Sequence, residues 1–414
     1  MLAGILFRRI IREGTLTIVD AQGRRESFGH GEPRVTIRLT DRTTEARLLV
    51  NPKLALGEAY MDGRLVVEEG TLYDLLFISG RNVRYLEEMA GVRWVEDLRR
   101  ALRPLQTYNP VGRARKNVAH HYDLSGELYD LFLDTDRQYS CAYFTSADDS
   151  LEQAQENKKR HLAAKLLVDE PGLEVLDIGS GWGGLGLYLA GEAGANVTGV
   201  TLSDEQVKVS RDRARKAGFG DGVQFRLEDY RNLKGKYDRI VSVGMFEHVG
   251  TRHYPEFFGK VRDLLADDGV AVLHSIGRMD PPGATNPWLR KYIFPGGYTP
   301  ALSEVLAVVE KCGLWVTDIE ILRLHYAETL RRWRERFQRH RDQVKKLYDE
   351  RFCRMWEFYL TGCEISFREM GQMVFQMQLA RRQDAVPLTR DYITDWERRK
   401  LAEASGVQAA QAAE

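Results

Sequence analysis

Net charge is the first thing this sequence lacks: 60 Lys and Arg stand against 60 Asp and Glu over 414 residues. A dedicated nucleic-acid binder carries a basic excess, so a nucleic-acid partner is not expected. Cysteine is scarce as well. Cys141, Cys312, Cys353 and Cys363 are widely scattered with no C-x-x-C pair, which excludes a disulfide framework or a zinc site and suits a reducing compartment. No run approaches the ~18–20 apolar residues that span a bilayer, and no internal repeat occurs. The stretch Met1 to Phe7 is interrupted by Arg8 and Arg9, too short and wrongly flanked for a secretory signal. It reads either as a first helix packed on its own domain or as an interfacial helix with arginine heads at lipid phosphates. The expectation is a soluble protein, peripheral to a membrane at most.

What is there is enough for a core: 43% of the residues are hydrophobic and 10% aromatic, and the length predicts two or three domains. Residues 1–98 read as a small α+β domain. Gly14-Thr-Leu-Thr-Ile-Val19 and Val35-Thr-Ile-Arg-Leu39 alternate like half-buried strands, and Tyr73 to Ile78 opens a more helical part. Residues 99–118 read as a linker, with Arg99, Arg100, Arg103, Arg113, Arg115 and Lys116 and no acidic residue; Pro104, Pro110 and Gly112 are expected to break any helix. Such a strip is either solvated or a contact for an anionic surface, where each cation contributes ~1 kcal/mol.

Residues 119–400 then alternate strand and helix. Ser150-Leu-Glu-Gln153 has the form of a capping box starting a helix to about Val168. Apolar strands are expected at 173–178, 196–201, 238–243 and 269–275, giving an α/β fold with a parallel sheet covered on both faces. Leu330, Trp333, Phe337, Val344 and Leu347 form one apolar stripe of a long helix. Residues 401–414, rich in Ala, Gln and Glu, read as a frayed tail.

The most specific local signal is Val175-Leu-Asp-Ile-Gly-Ser-Gly-Trp-Gly-Gly184, where an apolar strand ends and a helix begins. Gly179 and Gly181 let the backbone turn and approach a ligand with no Cβ in the way. The spacing G-x-G-x-G-G is not the dinucleotide G-x-G-x-x-G, and no Lys-Ser/Thr follows to make a phosphate loop. Asp177 ends the first strand, Val197 to Leu202 forms a second, and Asp229-Tyr230 precedes a third. This layout resembles the class I methyltransferase fold, which binds S-adenosylmethionine. The second strand ends in Thr201-Leu202 without the usual ribose-binding acid, and Gln206 is the polar residue one turn further on.

Further strings occur in order: His121-Tyr-Asp123 with Tyr129 and Phe132, Tyr139-Ser-Cys-Ala-Tyr-Phe144, Val243-Gly-Met-Phe-Glu-His-Val-Gly250, Leu273-His-Ser-Ile-Gly277, Phe294-Pro-Gly-Gly-Tyr298 and Leu324-His-Tyr-Ala-Glu-Thr-Leu330. Together with the glycine loop, this set resembles the cyclopropane-fatty-acyl-phospholipid synthases and their mycolic-acid methyltransferase relatives, over roughly residues 115 to 395. The first hundred residues resemble the lipid-binding domain of the phospholipid-acting members.

The resemblance implies transfer of a methylene from S-adenosylmethionine to the cis double bond of a phospholipid acyl chain, at the inner membrane face, by a cytoplasmic homodimer. It implies a bound bicarbonate as base, held by the side chains of Glu247, His274 and Tyr326 and by backbone groups of Cys141 and Ile276. It places the donor on Tyr139, Ser140, Asp177, Gly179, Ser180, Gly181, Gly183, Thr201, Leu202, Gln206, Asp229 and Tyr230, with no metal. Cys363 matches a cysteine once treated as the family's nucleophile; no neighbouring base is evident, and the other reading is a small buried hydrophobe. Two alternatives stay open: a transferase giving a methylene- or methyl-branched chain, and a non-catalytic membrane lipid-binding protein on the same fold.

Overall fold

The computed structural model describes residues 4–106 and 126–411; the His121-Tyr-Asp123 string, Pro110, Gly112 and the cations Arg113, Arg115 and Lys116 lie outside the described residues. The first region is built on a four-stranded sheet ordered β2-β1-β3-β4, with β1 Gly14–Val19, β2 Arg25–His30, β3 Arg34–Leu39 and β4 Leu65–Glu69. β1 lies parallel to β3 and the other pairs are antiparallel. The alternation in β1 and β3 buries Ile18, Ile37 and Leu39 against Leu75 and Ile78 of the helix Leu72–Glu87, whose start Thr71 and Asp74 cap reciprocally. The first helix, Gly4–Ile10, packs on this domain: Ile10 and the following Ile11 are buried, and Arg8 pairs with Glu26 at 2.7 Å.

The helix break expected at Pro104 is not there. A helix runs Ala90–Gln106, straight through Pro104. Proline lacks the N–H for one backbone bond and crowds the carbonyl four residues before it. Pro104 stands two residues from the helix end, so only the last turn bears that cost. Trp94, Val95, Leu98 and Leu102 on this helix are exposed.

The second region is a seven-stranded sheet ordered β10-β11-β9-β8-β5-β6-β7: β5 Glu174–Ile178, β6 Asn196–Thr201, β7 Val223–Leu227, β8 Tyr237–Val243, β9 Leu265–Arg278, β10 Trp315–Ile321 and β11 Gln372–Ala380. β5, β6, β8 and β9 fall on the four expected strands. The sheet is not wholly parallel: β11 returns from the helix Glu350–Glu369 and enters between β9 and β10, antiparallel to both. Separate apolar clusters cover the two faces, as a buried parallel sheet requires. The capping box is present, Ser150 Oγ accepting from Gln153 N at 3.1 Å and Gln153 Oε1 from Ser150 N at 2.8 Å, and the helix spans Leu151–Lys165.

The long apolar stripe divides at His340 into helices His325–Arg339 and Arg341–Leu347. Leu330, Trp333, Phe337 and Val344 are buried, whereas Leu347, beyond the break, is 41% exposed. The tail is helical too: Asp391–Gln411 is one helix, with Ile393 and Trp396 anchoring its first turns. Alanine, glutamine and glutamate are strong helix formers even where no core pattern is present.

The two regions meet on the helix Glu350–Glu369. Its Ile365 belongs to the first domain's core, and Glu357 accepts from Tyr60 Oη at 2.9 Å. Nearby, Trp288 Nε1 reaches Met61 Sδ at 3.1 Å. Among the described residues no helix is long and apolar enough to cross a membrane.

Candidate active site

The carboxyl ends of β5, β6 and β8 open into one cleft, where ligands of open α/β sheets bind. The glycine loop is pulled over β6: Gly179 N and Ser180 N both donate to Val200 O, at 2.9 and 3.0 Å. Gly181 has φ +54°, and nothing stands within 4 Å of the place a Cβ would take, so its bare face is open to a ligand. Tyr139, Ser140, Asp177, Gly179, Ser180, Gly181, Thr201, Leu202, Gln206, Asp229 and Tyr230 all line this cleft. Gly183 does not. Its Cβ position lies 2.8 Å from Phe225 and Ser210, behind the loop, and it serves as the N-cap of the helix Gly184–Ala193.

The polar groups of the cleft are poised for a charged ligand. Asp177 is buried and its Oδ2 has no hydrogen-bond partner; burial pushes its carboxyl up to about 7 against the opposing pull of Lys158. Ser180 Oγ is likewise unpartnered. Thr201 Oγ1 donates to Gln206 Oε1 at 2.7 Å and so orients the glutamine. The acid missing after the second strand has a neighbour in its place: Glu228 N donates to Thr201 O at 3.1 Å, and Glu228 lines the cleft. An open backbone cradle with orphaned carboxylate and hydroxyl oxygens fits the amino-acid end of S-adenosylmethionine.

Lys158, which sequence reasoning passed over, lies fully buried at the cleft wall. Its Nζ donates to Gln138 Oε1 at 2.6 Å and to Ser140 Oγ at 2.8 Å, and burial lowers it to about 8. A lysine among the buried positions of a capped helix was the available signal.

Glu247 sits just beyond β8 on a short helical turn. Its Oε1 accepts the N–H of Ile276 at 2.7 Å while its buried Oε2 has no partner. Burial raises the carboxyl to about 7, with the Ile276 amide and the Ser275 hydroxyl pulling the other way. Tyr298 N donates to Glu247 O at 2.9 Å, which is how the Phe294-Pro-Gly-Gly-Tyr298 string holds the turn. His248 beside it is half-buried, and desolvation lowers it to about 4.

His274 precedes Ile276 by two residues, on the same face of β9. It is buried and held well below its usual range, by desolvation first and then by Lys158, Lys165 and His161. It is therefore a neutral imidazole, contacted by Gln376 of β11. Gln376 was also missed, although two glutamines inside the apolar run Met373 to Leu379 mark polar work in a buried strand.

Two strings explain each other: Ala142 N donates to Thr329 Oγ1 and Phe144 N to His325 Nδ1, both at 3.0 Å. The Cys141 segment is thereby docked on the helix start that carries Tyr326. Tyr326 meets Trp333 edge-on at 5.8 Å, Trp333 stacks on Tyr139 at 5.1 Å, and Tyr139 and Tyr359 share a hydroxyl bond of 2.7 Å. Cys141, Ile276, Tyr326 and Cys363 pack in this one aromatic-rich cluster. Burial pushes the Cys363 thiol up to about 12 and the Cys141 thiol higher still, so neither is a thiolate at neutral pH.

Comparison with known proteins agrees with this geometry. Residues 111–377 match the family model for mycolic acid cyclopropane synthetase, and residues 6–84 match a domain of unknown function. The chain is 36% identical over 352 residues to the cyclopropane-fatty-acyl-phospholipid synthase of Escherichia coli (85% of this chain, 89% of that one). It is 36% identical over 395 residues to a tuberculostearic acid methyltransferase of Mycobacterium tuberculosis (92% and 91%). A crystal structure of a mycolic acid cyclopropane synthase complexed with SAH and CTAB superposes with a TM-score of 0.61 at 33% identity, covering 66% of this chain and 99% of that one. On these findings the chain belongs to the mycolic acid cyclopropane synthetase family and is an S-adenosylmethionine-dependent methyltransferase.

Proposed function

We propose that this enzyme adds a methylene across the cis double bond of an unsaturated phospholipid acyl chain, with bicarbonate as the base, at an anionic membrane surface. The observation that carries the reading is Glu247, a buried carboxylate tuned to about 7 with one oxygen unpartnered, set beside the donor cleft. The donor supplies an electrophilic methyl, and the alkene's attack leaves a cation from which a proton must depart for the ring to close. This chain's residues divide that task. Asp177 and Ser180 hold the donor's polar end. The cluster of Tyr139, Trp333 and Tyr359 keeps water from the reacting carbons. Neutral His274 and the phenol of Tyr326 donate to a bicarbonate ion, and Glu247 accepts the proton and passes it outward. A carboxyl near 7 suits that exchange at cellular pH.

A second reading keeps the donor and site but loses a different proton, giving a methylene branch. It draws on the similarity to the tuberculostearic acid methyltransferase, which extends over 92% of this chain. Lipid mass spectrometry in a host lacking its own synthase separates the two. A gain of one CH2 that resists mild hydrogenation supports the ring, and a gain that takes up hydrogen supports the branch. No gain with any unsaturated phospholipid overturns both.

A further inference from the structure

β11 places Gln376 directly opposite His274 in the antiparallel ladder with β9, so the backbone, and not side-chain chance, brings the two together. Both are buried, at 0% and 2% exposure. Gln376 Nε2 lies 3.2 Å from His274 Nδ1, and Gln376 Oε1 has no hydrogen-bond partner. A buried amide with one oxygen unsatisfied costs stability, and a methionine of the same volume would avoid that cost. On the other side Gln376 faces Glu320 of β10 in register. That carboxylate is taken up by His161 Nε2 at 2.8 Å and Lys165 Nζ at 2.5 Å. The strand thus sets an uncharged amide against the imidazole and leaves the nearby carboxylate to the helix Leu151–Lys165.

We infer that Gln376 is a positioning residue for His274: by donating to Nδ1 it keeps the proton of the neutral ring on Nε2 and so makes Nε2 the donor that faces the base. The inference rests on the reading of His274 as a ligand of the base. Which nitrogen carries the proton is set by the bond the other makes. An acceptor at Nδ1 would draw the proton there and leave a lone pair on Nε2, repelling the anion that the site is built to hold. A carboxylate would do worse, since it would also favour imidazolium.

The test uses the full chain with 15N-labelled histidine, His274 being assigned by its loss in His274→Ala. Gln376→Met removes the donor at nearly constant volume, and Gln376→Glu reverses its sense. The expected result is an Nε2–H signature in the wild type, a tautomer mixture in Gln376→Met and Nδ1 protonation in Gln376→Glu. Turnover should fall by about 10-fold in the first variant and about 100-fold in the second, the scale seen when the partner orienting a functional histidine is lost. The KM for S-adenosylmethionine should stay within about twofold, because the donor cleft is untouched. An Nδ1–H wild type, or unchanged signature and turnover in Gln376→Met, overturns the inference. If His274→Ala itself retains turnover, the reading of His274 fails instead. If His274→Ala is inactive while both Gln376 variants match the wild type, only the inference fails.

Discussion

Glu247 and Ile276 are joined by a 2.7 Å bond from the backbone N–H of β9 to one carboxylate oxygen, which fixes the other oxygen in a dry place with nothing to bind. Replacing Glu247 by Gln keeps the shape and removes the acceptor. Turnover should drop by ~10²–10⁴, the usual worth of one positioned acid–base group, with S-adenosylmethionine affinity nearly unchanged. His274→Ala and Tyr326→Phe should behave alike. Because the Glu247 carboxyl titrates at about 7 and acts as carboxylate, wild-type kcat should climb between pH 6 and 8. A variant with near-normal turnover would remove that residue from the mechanism.

Asp177 gives a stability test with a definite sign. Burial raises its folded-state value from 3.8 to about 7, so the folded protein holds this proton more tightly than the unfolded chain does. The stabilisation is complete below about 3.8 and is lost as pH rises through about 7. Asp177→Asn does not titrate. Its ligand-free Tm should therefore gain on the wild type from pH 4 to about pH 7 and level off above that, while S-adenosylmethionine binding weakens. A Tm difference constant across that range would contradict the account.

Two glycines of one loop should fail differently. At Gly181, a valine meets open cleft but a strained φ of +54°, so donor binding should be abolished while the protein still folds. At Gly183, an alanine Cβ would lie 2.8 Å from Phe225 and Ser210, so the loss should fall on Tm. Calorimetric titration beside thermal melts separates them, and tight donor binding by Gly181→Val would undo the loop's assignment.

Cys363→Ala should retain most turnover. A thiol pushed up to about 12 by burial is almost wholly protonated at pH 7, and the chemistry needs no covalent intermediate. A loss beyond ~100-fold, with donor affinity intact, would restore the nucleophile reading.

Vesicle binding should strengthen with anionic lipid and weaken with salt, since charge attraction decays over a Debye length of ~10 Å at 0.1 M. Changing Arg113, Arg115 and Lys116 to Gln should flatten that dependence and leave donor affinity alone. Co-sedimentation across a salt series decides it: equal binding to neutral and anionic vesicles at every salt level would refute the electrostatic account.

What was legible in the sequence was whatever a local pattern writes. The glycine loop, the Ser150–Gln153 box and the four central strands need only neighbours in the chain to be read. β10 and β11 were not seen, because the half-exposed alternation of Trp315 to Ile321 is weak and Gln376 and Gln378 interrupt an otherwise apolar β11. The reversed direction of β11 is a property of long-range pairing that no short window contains. The same holds for the site: Glu247 and Tyr326 were singled out by the strings around them. Lys158 and Gln376 acquire meaning only from partners 18 and 102 residues away. Pro104 misled in the opposite way, as a local breaker signal overridden by the helix already formed before it.

The helix Glu350–Glu369 packs on two sides. One side supplies Trp356 and Tyr359 to the aromatic cluster, and the other gives Ile365 to the first domain, where it fills the space beside Gly80. An ancestor or descendant without that domain would leave Ile365, and with it Trp288 beneath Gly57, bare to solvent. Loss or gain of the first hundred residues is therefore not a clean cut at a linker. It demands coordinated re-surfacing of positions 288 and 365, which makes those two sites the record to read when long and short members of the family are set side by side.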